Sequence, residues 1–271
     1  MKKFFLLFAA TTVMIACTGN KQATTNENDE ESQEEVLMDG QLESEMKANL
    51  DSLVNLWANL KPSPVLTTTA DGKITLTEDE KLVKPTYLFY PDSLEGKLET
   101  LSSKYRAVTA LTIDREVAKL YGMQDVFTPA ITKISAQIND PALKYLYDNS
   151  DKMDYADLIK EAYKIEAENG RETRFWEVAA TSVIEQTYIL CKNKDKFLAN
   201  FTDDDVDNFT NRVALLVDSY ETISQHNKKF YNLYNVVQPL DRLNATTVAE
   251  LSDQLTTLEG DIEKMRNELF L

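Results

Sequence analysis

The stretch from Val248 to Leu269, VAELSDQLTTLEGDIEKMRNEL, carries the most regular apolar pattern in this 271-residue chain. Its large apolar residues follow one another at alternating steps of three and four positions: Val248, Leu251, Leu255, Leu258, Ile262, Met265 and Leu269. This spacing puts them on one narrow face of an α-helix and is typical of heptad packing. The pattern predicts a long C-terminal helix whose apolar seam is either buried within the chain or used for dimerisation.

Similar apolar spacing recurs through most of the chain before this helix. Residues 172–192 are apolar on most sides, which predicts the central helix of a bundle. Only 7 Gly and 7 Pro occur in 271 residues, and this favours long regular elements over many turns. We therefore predict an all-α fold over residues 41–271, arranged as a multi-helix antiparallel bundle.

One short segment predicts a departure from the helical pattern. Asp71-Gly72 stands between two Thr-rich, β-branched runs, and this dipeptide is a strong signal for a hairpin turn. We therefore predict one small β-hairpin near residues 65–76. Directly after it, Thr77 and Glu80 have the spacing of a capping box, which predicts the start of a short helix.

The N-terminus has the layout of a cleaved export signal. Two lysines precede a short apolar run at residues 4–10, and the segment is too short to span roughly 30 Å of hydrocarbon. Its end, Met14-Ile15-Ala16-Cys17, resembles the lipobox of bacterial lipoproteins, although that family usually has Leu where Met14 stands. The resemblance implies that residues 1–16 are a signal peptide and that Cys17 becomes the lipidated first residue. The alternative is an ordinary secretory signal with an incidental cysteine.

The resemblance also implies a location. Thr18, rather than Asp, follows the cysteine, and in the lipoprotein sorting rule this implies export to the outer membrane. Acids are absent from residues 18–22, which favours a periplasm-facing protein over one displayed on the cell surface. Residues 17–40 are acidic and poor in large apolar residues, so they predict a disordered tether. The resemblance covers only residues 1–20 and implies a helical lipoprotein of Bacteroidetes type.

The charge balance limits the partners of the chain. The formal net charge is -16 at pH 7, from 45 acidic against 29 basic residues. A surface of this sign repels phosphate backbones and anionic lipid headgroups. We therefore expect no nucleic-acid partner, and we expect contact with the membrane to be made through the lipid on Cys17.

Few residues are suited to catalysis. His226 is the single histidine, which excludes four-ligand zinc sites on count, and we interpret it as a surface or helix-end residue. Cys191 continues a helical apolar pattern and is interpreted as a buried, unreactive thiol. Glu177 and Glu185 lie in the most apolar helix, where burial would raise a carboxyl pKa, and they are the acid–base candidates. We predict no catalytic, cofactor or metal site, and lipidation of Cys17 is the one site that the sequence predicts.

Three alternating aspartates invite a calcium-loop interpretation. Asp203, Asp205 and Asp207 have the spacing of such a loop, but Asn208 stands where the loop requires Gly. Thr202 precedes the run, and acids favour the first turn of a helix. We therefore predict that Thr202 and the aspartates start a helix.

Aromatic and hydroxyl residues suggest two further roles. Aromatic clusters at residues 87–90 and 230–234 could stack on sugars, although such residues more often anchor helix packing. Ser52 and Ser93 stand in Asp-Ser-Leu triplets that resemble an O-glycosylation motif of Bacteroidetes periplasmic proteins.

The leading functional hypothesis is a lipid-anchored, non-enzymatic binding or scaffold module of the envelope, with a protein or glycan partner. The alternative is a carboxylate-based glycan-acting enzyme or a sugar-binding protein, and a purely structural spacer is a third option. Two carboxylates about 5–10 Å apart in a cleft would favour the enzyme. A contiguous apolar surface patch would favour the module.

Overall fold

The structure, a computed structural model, describes residues 29–94, 98–138 and 152–270. Within these ranges the chain forms eleven α-helices and no β-strand, so the all-α fold class is confirmed. The helices are α1 (Asp29–Ala58), α2 (Pro64–Ala70), α3 (Glu78–Leu82), α4 (Leu101–Ala118), α5 (Gln124–Ile138), α6 (Tyr155–Glu168), α7 (Glu172–Lys192), α8 (Lys194–Leu198), α9 (Asp203–Ser224), α10 (Lys228–Val237) and α11 (Val248–Phe270). Short 3₁₀ segments are Pro91–Leu94, Lys119–Tyr121 and Gln238–Arg242.

Helix α7 is the centre of the bundle, as predicted, because nearly all of its side chains are buried. It packs against α4, α6, α9 and α11. The ring of Trp176 meets Trp57 of α1 and the neighbouring Phe175 edge-on, at centroid distances of 5.7 and 5.1 Å. Edge-to-face pairs of this kind add stabilisation beyond the area that the rings bury. The aromatic contacts therefore fix α1 against the N-terminal half of α7.

The seam of α11 is buried inside the chain. Leu251, Leu255 and Ile262 have no exposed surface, and Met265 and Leu269 are each 3% exposed. Helix α11 packs mainly against α7, with further contacts to α4 and α10. Burying a Leu or Ile side chain is worth about 1.5–3 kcal/mol, so the seam is a substantial part of the core. Of the two alternatives for the seam, the structure therefore shows the internal one.

The predicted β-hairpin near residues 65–76 is wrong. Pro64–Ala70 forms helix α2, with Pro64 in its first turn. The fixed φ of proline suits that position, where its missing N–H costs least. Val65 and Leu66 are 0% and 2% exposed. Burial of these two side chains outweighs the weak helix propensity of the threonines that follow them.

Asp71-Gly72 ends helix α2 instead of turning a hairpin. Gly72 has φ +66°, and its N–H donates to the Thr69 carbonyl at 3.2 Å. The N–H of Lys73 donates to the Thr68 carbonyl at 3.2 Å, which completes a Schellman cap. Hairpin turns and Schellman caps both require a residue with positive φ, so the dipeptide alone does not distinguish them.

Both predicted capping residues are confirmed. Thr77 starts α3: its N–H donates to the Glu80 carboxylate at 2.8 Å, and its hydroxyl accepts from the Glu80 N–H at 3.2 Å. Thr202 starts α9 in the same way with Asp205, at 2.9 and 3.2 Å. Each reciprocal pair satisfies N–H groups that a helix start leaves without an internal partner.

The N-terminal predictions fall largely on residues that the structure does not describe. Helix α1 begins at Asp29, so its backbone includes residues 29–40, which the sequence analysis placed in the tether. The signal peptide at 1–16, Cys17 and the remainder of the tether up to residue 28 lie outside the described residues. Among the helices of the described part of the chain, none is long and apolar enough to cross a membrane.

Candidate functional site

Helix α7 carries three buried carboxylates, and each pairs with a basic side chain from a different helix. The pairs are Glu172 with Lys47 of α1 at 3.5 Å, Glu177 with Arg106 of α4 at 3.0 Å, and Glu185 with Arg266 of α11 at 2.7 Å. A buried charge is costly unless it is paired and hydrogen-bonded. These pairs therefore make the position of each neighbouring helix depend on a specific contact with α7.

Glu177, the first acid–base candidate, lies at the junction of three helices. Its carboxylate is 7% exposed, pairs with Arg106, and accepts a hydrogen bond from the Ser102 hydroxyl at 3.1 Å. Arg106 also donates to the carbonyl of Leu269 at 2.7 Å, near the end of α11. This arrangement joins α4, α7 and α11 and is typical of a structural ion pair.

Glu185, the second acid–base candidate, has no exposed surface. Both of its oxygens accept from Arg266, through Nε and Nη2, at 2.7 Å each. The guanidinium of Arg266 also lies 4.2 Å from the ring centroid of Tyr188 and 5.3 Å from that of Phe89. A planar guanidinium suits this combination of a forked hydrogen bond and ring stacking.

Asp114 of α4, which the sequence analysis did not select, faces this ion pair. It has no exposed surface, its Oδ2 accepts from the N–H of Phe89 at 2.7 Å, and its carboxyl lies within the electrostatic influence of Glu185. Burial, and then the nearby charge of Glu185, raise the pKa of the Asp114 carboxyl well above its ordinary value. A signal was present in the sequence, because Asp114 falls between Leu111 and Val117 on the apolar stripe of α4.

The two acid–base candidates are not brought together. Glu177 and Glu185 are about two turns, or roughly 12 Å, apart along the axis of α7. They bind arginines from different helices. The carboxyl whose charge acts on Asp114 is that of Glu185, and both of these residues are fully buried. Glycosidase carboxylates must flank a bound sugar, so a buried pair of this kind is poorly placed for that reaction.

A surface depression lies beside the residues that cover Asp114. We call it the α3 groove, and its lining combines apolar, aromatic and charged residues: Leu76, Glu80, Val83, Lys84, Pro85, Thr86, Tyr87, Tyr121, Asn193 and Lys196. Its volume is about 340 Å³, within the range of small-ligand and side-chain pockets. The hydroxyls of Tyr87 and Tyr121 are hydrogen-bonded to each other at 2.9 Å. Burial raises the pKa of the Tyr87 phenol, so it stays protonated and can hold this bond at neutral pH.

Two exposed apolar residues lie at the groove: Val83, which lines it, and the preceding Leu82, and we call these two residues the rim. Leu82 is 84% exposed and Val83 is 65% exposed, at the end of helix α3. Glu80 of α3 forms an ion pair with Lys196 of α8 at the edge of the groove. The capping box of α3 and this ion pair together hold the two apolar side chains beside the groove.

His226 and Cys191, which were both interpreted as non-catalytic, have surroundings that agree with the prediction fully or in part. His226 is exposed just after the end of α9, as predicted. Cys191 is half-buried rather than fully buried, and its thiol is 3.7 Å from the Leu255 carbonyl. Burial raises the pKa of the Cys191 thiol to about 12, so it stays protonated near neutral pH.

The helix start predicted at Thr202 and the aspartates that follow it is confirmed as the start of α9. Asp203 accepts from the N–H of Val248 at 3.2 Å and so joins the start of α9 to that of α11. In the part of the chain that is described, no group of three or more His, Cys, Asp or Glu side chains is arranged to hold a metal ion.

The aromatic clusters serve mainly in packing. Leu88 and Phe89 of the first cluster are buried, while Tyr87 lines the α3 groove. In the second cluster Phe230 packs on Tyr220 with 5.7 Å between ring centroids, and Tyr231 is 58% exposed.

The O-glycosylation hypothesis stays a hypothesis. Ser52 is exposed on α1, and its hydroxyl donates to the Ala48 carbonyl at 3.0 Å. The side chain of Ser93 lies outside what the structure describes.

Comparison of the chain with protein-family models, curated proteins and solved structures gives no match. The candidate site consists of the exposed α3 groove and, behind it, the buried group formed by Asp114, Glu185 and Arg266.

Proposed function

We propose that this protein is a non-enzymatic binding module that presents the α3 groove to a protein partner in the cell envelope. The observation that carries the proposal is the pair of adjacent, exposed apolar residues, Leu82 and Val83, on the rim of that groove. Isolated apolar residues on a surface are ordinary, but an apolar patch beside a concave site is a feature of interaction sites. The exposure of these two residues supports a module over an enzyme in this proposal.

The chemistry of the groove favours an apolar segment of a protein as the partner. Val83 and Pro85 supply apolar surface, and Tyr87 and Tyr121 supply rings, which are enriched in protein interfaces. Asn193 adds a polar group that can bond to a partner's backbone. An apolar side chain entering the groove would remove both its own surface and that of the rim from water.

The rest of the molecule supports a binding role by keeping the groove in place. Tyr121 follows α4, and Asn193 follows α7, so two walls of the groove belong to the helices that the buried ion pairs join. Sites that are built on packed helices are held more precisely than sites on loops alone.

The proposed location rests on the N-terminal resemblance. A lipid on Cys17 would anchor the module to the outer membrane, facing the periplasm, with the acidic tether between lipid and bundle. One acyl chain binds a membrane only marginally, so more than one chain is part of this proposal. The charge of -16 supports the proposal that the lipid, rather than the protein surface, contacts the membrane.

One observation favours a second candidate, a sugar-binding protein. Tyr87, Tyr121 and Asn193 line the same groove, and aromatic rings with an amide are a common set for stacking and hydrogen bonding to sugars. In that case the groove would bind an envelope glycan, and the apolar rim would contribute less than the rings.

The test is cross-linking in intact cells followed by recovery of the native protein. The informative variant is Leu82→Ser with Val83→Ser, which removes the apolar rim. The matched control is Leu56→Ser with Val126→Ser, because these residues are 54% and 47% exposed and lie outside the groove. A Cys17→Ser variant tests the anchor separately.

We expect a stoichiometric protein partner with the wild type and the control, and at least about tenfold lower recovery with the rim variant, since two buried apolar contacts are lost. Equal recovery with the rim variant would contradict the assignment of the groove. Binding of envelope glycan that depends on Tyr87 and not on the rim would favour the sugar-binding alternative. A Cys17→Ser variant that stays membrane-bound would contradict the lipid anchor.

A further inference from the structure

The group formed by Asp114, Glu185 and Arg266 lacks one hydrogen-bond donor. Arg266 donates to both oxygens of Glu185, and the Phe89 N–H donates to Oδ2 of Asp114. The remaining buried oxygen, Oδ1 of Asp114, has no hydrogen-bond donor. Glu185 nevertheless lies close enough to Asp114 for its charge to act on the Asp114 carboxyl. Phe89, whose N–H binds Asp114, also has its ring 5.3 Å from the guanidinium of Arg266. Two charged carboxylates can only accept hydrogen bonds, so at this proximity they would repel each other.

The surrounding charges do not compensate a second carboxylate. Arg266 is the cation nearest to the two carboxyls for which the structure gives an ion pair, and both of its bonds go to Glu185. Arg115 and Glu116, the neighbours of Asp114 on α4, pair with each other at 3.0 Å. Three tyrosines of the described residues also lie within the electrostatic influence of the pair: Tyr87, Tyr90 and Tyr188. Lys84 lies over the ring of Tyr90, and Lys192 is bound to Glu259 and Glu263.

We propose that Asp114 and Glu185 share one proton at neutral pH, carried on Oδ1 of Asp114 and donated to Glu185, and that its loss at higher pH loosens the residues that line the α3 groove. With the proton present, each of the four carboxyl oxygens has a hydrogen-bond partner. The group then carries two charges, one on Glu185 and one on Arg266, and these cancel. The proton thereby completes the contact between α4, α7 and α11.

The connection to the groove runs through the backbone of Phe89. Residues 83–90 contain no helix or strand, and Pro85 and Tyr87 of this segment line the groove. The Phe89 N–H is bound to the same carboxyl that carries the proton. A charged Asp114 without a counterion would be strongly stabilised by contact with water. The irregular segment that covers it is easier to displace than the helices on its other sides.

The consequence for binding rests on the proposed function of the groove, whereas the shared proton does not. Asp114→Asn is the informative variant, because an amide oxygen can still accept from Phe89 and an amide N–H can donate to Glu185 without titrating. Glu185→Gln is a second variant, which leaves Arg266 free to pair with a charged Asp114. Asp207→Asn removes an exposed charge from α9 and is the matched control.

The first measurement is the infrared spectrum of the full-length protein in detergent at neutral pH. We expect the carbonyl band of a buried, protonated carboxyl in the wild type and in Asp207→Asn. We expect it to be absent from Asp114→Asn and from Glu185→Gln. A wild type without the band, or a band that persists in Asp114→Asn, would overturn the shared proton.

The second measurement is hydrogen exchange by mass spectrometry, followed in a peptide that covers residues 85–90. After correction for the intrinsic rate, we expect protection in the wild type to fall by about tenfold or more as the pH is raised from neutral into the alkaline range. We expect no such fall in Asp114→Asn. An equal fall in both proteins would overturn the link to the groove. The infrared band reads the proton and hydrogen exchange reads its link to the groove, and neither measurement requires a captured partner.

Discussion

Asp114 shows how one buried residue can make the stability of the bundle depend on pH. Its pKa is raised in the folded protein because burial and the charge of Glu185 disfavour the ionised form. A group of this kind stabilises the fold fully below its ordinary pKa, and the contribution is lost as pH rises through the raised value.

We therefore expect the wild type to lose stability relative to Asp114→Asn as pH rises from about 4, the ordinary pKa of Asp. The difference in unfolding free energy should change by up to about 1.4 kcal/mol per pH unit, until the pKa of the folded state is reached. Urea unfolding followed by circular dichroism at several pH values measures this difference. A difference that stays constant with pH would contradict the raised pKa, and Asp207→Asn should follow the wild type.

At the scale of the helices, the ends of elements are set by a few local contacts. Gly72 closes α2 with φ +66°, and a Cβ at this position would meet nothing within 4 Å. Gly260 lies in α11, outside the left-handed region, and also has open space around it. The two glycines therefore differ in backbone conformation rather than in packing.

We expect opposite effects from replacing these two glycines by alanine. Gly72→Ala should lower the unfolding free energy by about 1–2 kcal/mol, the cost of a left-handed conformation for a residue with a Cβ. Gly260→Ala should raise it by about 0.5–1 kcal/mol, since alanine is the better helix former. Thermal or urea unfolding of the two variants distinguishes these outcomes. A stabilised Gly72→Ala variant would mean that the Schellman cap is not formed.

At the scale of the whole molecule, the seam of α11 closes the bundle on itself. Leu255 has no exposed surface, and α11 packs on α7, α4 and α10 of the same chain. A seam that is used inside one chain is not available to a second copy, although its heptad spacing would suit either use.

We expect Leu255→Ala to lower the unfolding free energy by about 2–5 kcal/mol, because a large buried side chain is lost and a cavity is left. The midpoint of urea unfolding should not change when the protein concentration is varied about a hundredfold, since folding here does not require association. A midpoint that rises with concentration would indicate that the seam joins two chains instead.

Local patterns predicted much of this fold. The seam of α11, the buried character of α7, the capping box at Thr77 and the helix start at Thr202 depend on residues within one or two helical turns of each other, and all were predicted correctly. Local sequence gave the wrong prediction at Asp71-Gly72, because the same dipeptide occurs in hairpin turns and in helix C-caps. Burial of Val65 and Leu66 against the core favoured the helix, and that burial is not a local property.

The candidate site was predicted only in part. Glu185 was selected because its helix is apolar, and it is indeed buried. Its contacts with Arg266 and Asp114 join residues that are far apart in sequence, and neither partner was selected. The exposed pair Leu82 and Val83 also gave no signal, because nothing in the local sequence shows which apolar side chains the core leaves uncovered.

The sequence by itself determined the all-α class, the positions of the main helices and the face that each one buries. Periodicity carries this information, because it follows from the geometry of a single helix. Only the tertiary structure decided which helices meet, that Asp114 faces Glu185, and that a groove opens beside α3. These features depend on how several helices pack at once, and the spacing of residues within one helix does not specify its neighbours.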